Sequence, residues 1–320
     1  MLAVFGAFSG LSLGGLGRLG DAAAWAALVL AAVGVATLPL DLWRGLLRER
    51  RFGLSVQTLG GWLADRAKGE AIEIVLGAAV WTAAIALVDA LPRRWPIAAA
   101  AALALFVLFL SFVAPVVLEP LFNRFRPLED ERLADELRAL ADGAGVPVRD
   151  VLVADASRRT TRTNAYVSGL GPTRRVVVWD TLLAEGDEPA LKLVVAHELG
   201  HRRYRHVVKG TLIGMTGAVV LVLVLWAVLG TPQPGDFPEA ALLFTGLELA
   251  GMPAVAALSR RWERAADRCS LALTGDREAF VRAHTALARK NLSDLDPPRL
   301  AYLMLFSHPT PPERLALARR

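Results

Sequence analysis

Residues 191–201 read LKLVVAHELGH, and the interpretation of the whole chain starts from this stretch. On a helix, residues four apart lie on one face, so His197 and His201 can both present an imidazole nitrogen to one metal ion. Glu198 flanks them, and two histidines with a neighbouring carboxylate are typical of a zinc site with a general base. The alternative is a helix whose histidines only cap or form hydrogen bonds. The pattern predicts a catalytic metal site if the surrounding sequence agrees.

The composition indicates an integral membrane protein. The chain has 320 residues, 54% of them hydrophobic, and its mean hydropathy is +0.41. This apolar share is high for a soluble globular protein, and the excess lies in long uncharged runs. The net charge of +5 fits basic residues beside membrane spans, because cytoplasmic loops retain Lys and Arg. No nucleic-acid partner is expected, and the single cysteine, Cys269, predicts neither a disulfide nor a cysteine-based zinc site.

About six transmembrane helices are expected. Apolar runs occur at 1–17, 22–40, 71–89, 96–118, 210–229 and 240–258. Most are long enough to cross a bilayer, and the first is marginal in length. A signal peptide is the alternative for the first run, but no basic residue precedes it and no small-x-small cleavage site is evident, so a span is expected. Pro115 is expected to kink the fourth run near its end. Glu248, in the last run, is either functional or a hydrogen-bonded residue that faces other helices.

Water-facing segments alternate with these runs. The stretch LEDERLADELRALADGAGV predicts a helix that closes at Gly143 and Gly145, and β-branched runs around a Gly/Pro turn predict a hairpin over 164–179. Asp187 and Pro189 are good start signals for the HELGH helix. The predicted organisation has N-terminal transmembrane helices in 1–118, a cytoplasmic catalytic domain in 119–209, two transmembrane helices in 210–258 and a C-terminal cytoplasmic catalytic segment in 259–320.

A catalytic zinc site usually takes three protein ligands, so a third ligand must come from another segment. In SRRWERAAD, residues 259–267, Glu263 and Asp267 are four apart and share a helical face. Glu263 is the natural third ligand, and Asp267 can accept the spare ring N–H of a ligating histidine. By spacing alone, both acids fit equally well as ion-pair partners of the neighbouring arginines on a solvated face.

Seven motifs follow one another between about residue 50 and the C-terminus: RRFGLSVQT, LEPLFNRFRPLED, NAYVSGLG, VVVWDTLL, HELGH, SRRWERAAD and FSHPTPPERLA. As a set they resemble the CAAX prenyl protease 1 family of membrane zinc metalloproteases. The resemblance implies an α-helical integral membrane protein with a zincin-like α+β metalloprotease domain that contains a small β-hairpin or sheet. It also implies a zinc-dependent endopeptidase with one Zn²⁺ per chain.

The resemblance assigns roles to individual residues. It implies metal ligands at His197, His201 and Glu263, a general base at Glu198 and an orienting carboxylate at Asp267. It also implies that His308 and Arg314 lie near the cleft, His308 as a catalytic residue and Arg314 as a residue that supports the metal ligands, and that Asn164 and Tyr166 contact the substrate. Family members usually have seven spans around a water-filled chamber. Only two spans, rather than three, precede RRFGLS here, so either one span is absent or the start codon lies upstream.

The expected reaction is hydrolysis of a peptide bond by a zinc-activated water, with Glu198 as base and the hairpin over 164–179 holding substrate as an added strand. Expected partners are a peptide or protein substrate and membrane lipid, at the inner membrane with the site facing the cytoplasm. Richness in Ala, Arg and Gly suggests a bacterial genome and a role in membrane-protein or misfolded-protein quality control. The alternatives are an HtpX-like heat-shock protease, a scaffold or transporter with a structural metal, and an inactive binding module.

Overall fold

The structure, a computed structural model, describes residues 15–169 and 171–319. The described part is mainly helical and contains a small sheet. The α-helices are α1 (Gly17–Leu42), α2 (Arg48–Arg51), α3 (Leu59–Ala90), α4 (Trp95–Val113), α5 (Glu119–Phe122), α6 (Glu131–Gly143), α7 (Asp180–Leu183), α8 (Glu188–Arg203), α9 (His206–Leu229), α10 (Phe237–Thr274), α11 (Arg277–Lys290), α12 (Arg299–Leu305) and α13 (Pro311–Leu315). The strands are β1 (Phe125–Pro127), β2 (Asp150–Ala154), β3 (Ala165–Ser168) and β4 (Arg175–Trp179).

Five helical stretches among the described residues are long and apolar enough to cross a membrane: Gly17–Arg51, Leu59–Ala90, Trp95–Phe122, His206–Leu229 and Pro234–Thr274. Between 6% and 17% of the residues in their most apolar windows are buried, so most of this apolar surface is available to lipid. The chain is a multi-pass membrane protein. The predicted first span, 1–17 with its glycines at positions 6, 10 and 14, lies outside the described residues except for its last three positions.

The expected distortion at Pro115 takes the form of a π-helical segment. Residues Ala114–Leu118 are wound as π-helix between α4 and α5. Proline has no N–H to donate to the preceding turn, so a local change of winding relieves the conflict. Glu248 lies on an exposed side of α10.

The chain divides into two compact units. The first is formed by residues up to Glu49, Thr58–Leu110 and Thr211–Ala250. In its core, Trp81 packs edge-on against Phe237 with a centroid distance of 5.6 Å and donates its indole N–H to the carbonyl of Pro234 at 3.0 Å. A satisfied indole N–H is what a buried tryptophan requires.

The second unit is formed by Arg50–Gln57, Ser111–Gly210 and Gly251–Arg320. Its sheet has the order β1-β2-β4-β3, with β2 and β4 parallel and the other two pairs antiparallel. β3 and β4 form the predicted hairpin, which is confirmed. Gly169, in the turn, has φ of +77°, and a Cβ there would lie 2.2 Å from the carbonyl oxygen of Thr173, so the turn needs glycine.

The sheet and two helices enclose the core of this unit. Leu137 of α6, Val176 and Val178 of β4, and Val195 and Leu199 of α8 are fully buried in one cluster. The α6 helix begins after Asp130, whose carboxylate accepts from the N–H of Leu133, and it ends at Gly143 as predicted. The helix that carries HELGH is therefore fixed against the sheet along one face.

Candidate active site

The sequence of α8 explains its position and the direction of its histidines. Asp187 caps the helix by accepting from the N–H of Ala190 at 3.0 Å, and Pro189 occupies its first turn, as the start signals predicted. Leu191, Val195 and Leu199 recur at four-residue spacing and pack into the core. The two histidines, four apart, lie on a different face of α8. On that face both imidazoles contact Glu263 of α10.

His197, His201 and Glu263 form a compact triangle of ligand atoms. The Nε2 atoms of the two histidines are 3.1 Å apart, and each lies 3.3 Å from an oxygen of the Glu263 carboxylate. Zinc bonds of about 2.0–2.1 Å in tetrahedral geometry place neighbouring ligand atoms about 3.3 Å apart. Glu263 has only 6% of its surface exposed, and its two carboxylate oxygens face the Nε2 atoms of the two histidines. Two imidazoles and a buried carboxylate at this spacing therefore fit a zinc ion.

Gly200 lets the two helices approach closely enough to form this triangle. A Cβ at Gly200 would lie 3.0 Å from the Cα of Ala266 and 3.0 Å from the Cβ of Cys269. Such contacts are tighter than nine in ten real Cβ contacts, so a side chain at this position would push the two helices apart by a few tenths of an ångström. Cys269 is buried at this contact, as expected for a small packed residue. Close packing thus places Glu263, one turn before Ala266, beside the histidines.

Asp267 and Arg314 fix the ring of His197. Asp267 is fully buried, and its Oδ1 lies 2.8 Å from Nδ1 of His197. Arg314 donates to both carboxylate oxygens of Asp267, at 2.5 and 2.9 Å. This bidentate pair neutralises the buried carboxylate and holds it in place. Asp267 thus lies where a carboxylate that orients a histidine ring is expected, and Arg314 contacts Asp267 from the other side.

The HPTPPER stretch contains the N-cap and the first turn of α13, and this turn positions Arg314. Thr310 is the N-cap of α13, and Glu313 forms the reciprocal hydrogen bond of a capping box. Pro311 and Pro312 occupy the first helical positions, where a missing N–H costs nothing. This short rigid helix carries Arg314 to Asp267.

Glu198 lies beside the triangle and lines the same cleft as the ligand atoms. Burial raises the pKa of its carboxyl, and the neighbouring histidines partly offset this effect. A carboxylate with a raised pKa accepts a proton more readily near neutral pH, which suits a general base.

His197 binds a proton tightly when no metal is present. Burial opposes its charged form, but hydrogen bonds to Asp267 and Glu263 outweigh burial and raise the pKa of His197 to about 9. A metal ion must therefore displace a proton from this ring at neutral pH.

A cleft of about 510 Å³ opens at these residues. Its lining includes Asn164 and His308 together with Trp179, Leu182, Leu193, Leu287 and Phe306. The Nε2 atom of His308 lies 3.5 Å from Oε1 of Glu263, with 61% of the side chain exposed. Both residues are therefore placed where a bound peptide can reach them.

The RRFGLSVQT stretch supports the loop that leads to Asn164. Ser55 and Thr160 form an antiparallel bridge, and the Thr160 hydroxyl donates to the carbonyl of Leu54 at 2.7 Å. Thr161 donates in the same way to the carbonyl of Gly53 at 2.8 Å. These contacts anchor the loop at 160–163 directly before Asn164.

Tyr166 is not brought to the cleft described above. Its side chain is hydrogen-bonded with Glu119, and burial raises the pKa of its hydroxyl. Further along β3, Arg202 donates to the carbonyl of Val167, so this part of the strand edge already has a partner. The start of β3 directly follows Asn164, which lines the cleft.

Three further polar residues near the site were not assigned a role from the sequence. His206 lies against His201, with 3.0 Å between their Nδ1 atoms. His284 is buried in the cleft wall, where burial lowers its pKa to about 3 and its Nε2 has no hydrogen-bond partner in the structure. The buried Arg260 donates to the carbonyls of Tyr302 and Phe306, and so holds the segment that precedes His308. None of the three follows the helical spacing that revealed Glu263.

Comparison with known proteins covers almost the whole chain. Residues 127–320 match peptidase family M48, and residues 4–124 match the CAAX prenyl protease N-terminal family, described as five membrane helices. An uncharacterised metalloprotease, YhfN, of Bacillus subtilis is 32% identical over 302 residues, which is 89% of this chain and 70% of that protein. CAAX prenyl protease 1 of Saccharomyces cerevisiae is 27% identical over 306 residues, or 87% of this chain and 67% of that protein.

The fold is also similar to that of a solved structure. The crystal structure of S. mikatae Ste24p superposes with a TM-score of 0.80 and 26% sequence identity. The match covers 91% of this chain and 73% of that chain.

Proposed function

The chain belongs to peptidase family M48, and we propose that it hydrolyses peptide bonds at the His197–His201–Glu263 site with one zinc ion per chain. It is a membrane metallo-endopeptidase similar to CAAX prenyl protease 1. Metalloproteases of this family depend on zinc in general. The observation that carries the proposal is the triangle of ligand atoms with edges of 3.1 and 3.3 Å beside Glu198.

In the proposed mechanism, His197, His201 and Glu263 would hold a zinc ion, which would supply a Lewis acid and lower the pKa of a bound water toward neutrality. Glu198 takes the proton from the attacking water and later delivers it to the leaving amine. His308 donates a hydrogen bond to the oxygen on which negative charge develops. Asn164 and the adjoining edge of β3 hold the substrate backbone, because main-chain hydrogen bonds to a strand edge recognise any peptide.

The Glu198→Gln variant tests this mechanism. It removes the base and keeps the metal ligands, so it should bind zinc normally and lose at least 100-fold in turnover, the lower end of general acid–base contributions. Glu278→Gln, at an exposed position on α11 with 92% of its side chain accessible, is the matched control and should remain fully active. Undiminished turnover in Glu198→Gln would exclude Glu198 as the base.

We further propose that the site faces the cytoplasm of a cell with the protein in its inner membrane. Lys and Arg number 6 in 43–70, 15 in 119–209 and 12 in 259–320, whereas the remaining segments contain only Arg18, Arg93 and Arg94. Positive charge resists export, and the short 43–70 loop carries most weight because long domains follow this rule less strictly.

Engineered cysteines test the orientation. In a Cys269→Ser background, single cysteines at the exposed positions Val56, Thr231 and Leu295 are treated with a membrane-impermeant thiol reagent in intact cells. Position 231 alone should react. Labelling at 56 and 295 instead would show that the orientation is inverted.

For the substrate, we propose membrane or misfolded proteins rather than prenylated ones. The support is the richness in Ala, Arg and Gly, which is typical of bacteria with GC-rich genomes. The Glu198→Gln variant, expressed in the native host, should retain bound peptides that mass spectrometry can identify. Recovery of mainly prenylated C-terminal peptides would overturn this assignment.

A further inference from the structure

His206 is held in one orientation next to a candidate metal ligand. It is 5% exposed, and its ring stacks on the indole of Trp262 with a centroid distance of 5.0 Å and an angle of 9° between the planes. Its Nδ1 lies 3.0 Å from Nδ1 of His201. The Nε2 of His201 points to the opposite side, toward His197 and Glu263.

The backbone between the two histidines makes this contact possible. The α8 helix ends at Arg203, and α9 begins at His206. Between them Arg205 has φ of +56°, a left-handed conformation that is uncommon for a residue other than glycine. Such strain persists only where the surrounding contacts fix it, and it clusters at functional sites. This turn brings the residue five positions after His201 back onto the His201 ring.

We propose that His206 is a positioning residue of the metal site, which fixes the ring of His201 by accepting a hydrogen bond from its Nδ1–H. This inference rests on the proposed function. A neutral histidine that binds a metal through Nε2 carries its proton on Nδ1, and a partner for that proton sets the tautomer and the ring orientation. His206 accepts through Nδ1 when its own proton is on Nε2.

The two histidine ligands therefore have different supports. His197 is oriented by the buried carboxylate of Asp267, whereas His201 is oriented by an imidazole held against Trp262. Trp262 directly precedes Glu263, so one turn of α10 supplies both the third ligand and the surface that holds His206.

Two substitutions at position 206 separate hydrogen bonding from packing. His206→Phe keeps an aromatic ring against Trp262 and removes the acceptor. His206→Asn keeps an acceptor, because its Oδ1 takes nearly the place of the histidine Nδ1. Val208→Phe, which adds a ring at an exposed position of the same helical turn, is the control.

Zinc affinity is measured by chelator competition on the purified full chain, and the visible spectrum of the Co²⁺-loaded protein reports ligand geometry. His206→Phe should bind zinc roughly 10- to 100-fold more weakly and show an altered cobalt spectrum, as losses of ligand-orienting partners do. His206→Asn should recover most of the affinity and the spectrum, and Val208→Phe should equal the wild type.

Two results would overturn the role of His206: wild-type zinc affinity in His206→Phe, or a His206→Asn variant as weak as His206→Phe. Failure of the wild-type protein itself to bind zinc tightly would overturn the proposed function instead. The measurement therefore distinguishes the two failures.

Discussion

The two helices that supply the candidate metal ligands do so in different ways. In α8 both histidines and Glu198 lie within five consecutive residues, on a helix of 16 residues that is capped at its start and fixed against the sheet. In α10 the candidate ligand Glu263 lies one turn before Ala266, which packs closely against Gly200 of α8. The comparison shows that local sequence provides two ligands, whereas the complete site depends on a tertiary contact. Substitutions on α10 therefore test whether this tertiary contact completes the metal site.

The largest effect is expected for Glu263→Ala. It removes one of three ligands and leaves two histidines that face each other at 3.1 Å, so the protein should lose both zinc and peptidase activity. Metal analysis after gel filtration, beside a peptide-cleavage assay, measures both. If Glu263→Ala retained a full equivalent of zinc, the third ligand would be a different residue.

A smaller loss is expected for Asp267→Ala. This change leaves all three ligands in place but frees the ring of His197 and leaves Arg314 without its carboxylate partner. Zinc affinity should fall roughly 10- to 100-fold, as for other losses of ligand-orienting groups. Chelator competition measures the affinity. A loss as large as that of Glu263→Ala would contradict the distinction between Glu263 as a metal ligand and Asp267 as a residue that orients a ligand.

Zinc affinity should also depend on pH. Hydrogen bonds to Asp267 and Glu263 raise the pKa of His197 to about 9 in the metal-free protein, so zinc displaces one proton from this ring at any pH below that value. Apparent affinity should fall by about tenfold for each unit that the pH decreases below 9. Titration calorimetry in buffers of different ionisation enthalpy counts the released protons. Release of none at pH 7 would show that the ring is already neutral.

The smallest effect is expected for Gly200→Ala. The new methyl group forces the α10 backbone away by a few tenths of an ångström, and such overpacking costs about 1–3 kcal/mol of stability. Gly143→Ala, at an exposed helix end with no atom near the added Cβ, is the matched control. Denaturant unfolding measures the free energy of unfolding of both variants. Equal values would show that the helix crossing accommodates the added methyl group without a loss of stability.

Much of the fold follows from local sequence patterns. The start of α8, the end of α6 and the hairpin of β3 and β4 were all predicted, because caps, Gly/Pro turns and β-branched runs act within a few residues. The parallel pairing of β2 with β4 was not predicted. It joins residues 25 positions apart, such as Asp150 and Arg175, and neither strand alone carries a sequence signal for it.

The candidate site likewise contains residues that the sequence reveals and residues that only the tertiary structure reveals. His197, Glu198 and His201 are evident from their spacing, and Glu263 and Asp267 from spacing together with the resemblance. His206 was missed because the left-handed residue Arg205 interrupts the helical period between it and His201. Arg260 was grouped with possible ion-pair partners, but its partners are backbone carbonyls, which have no sequence signature.

The distance along the chain between cooperating residues also has a consequence for biosynthesis. Arg314 and His197 interact across 117 positions, and Glu263 lies on a third segment between them. Contacts of such separation form late, after the intervening chain has folded. A growing or partly folded copy therefore holds two of the candidate ligands without the third, and the candidate metal site is complete only once α10 has packed against α8.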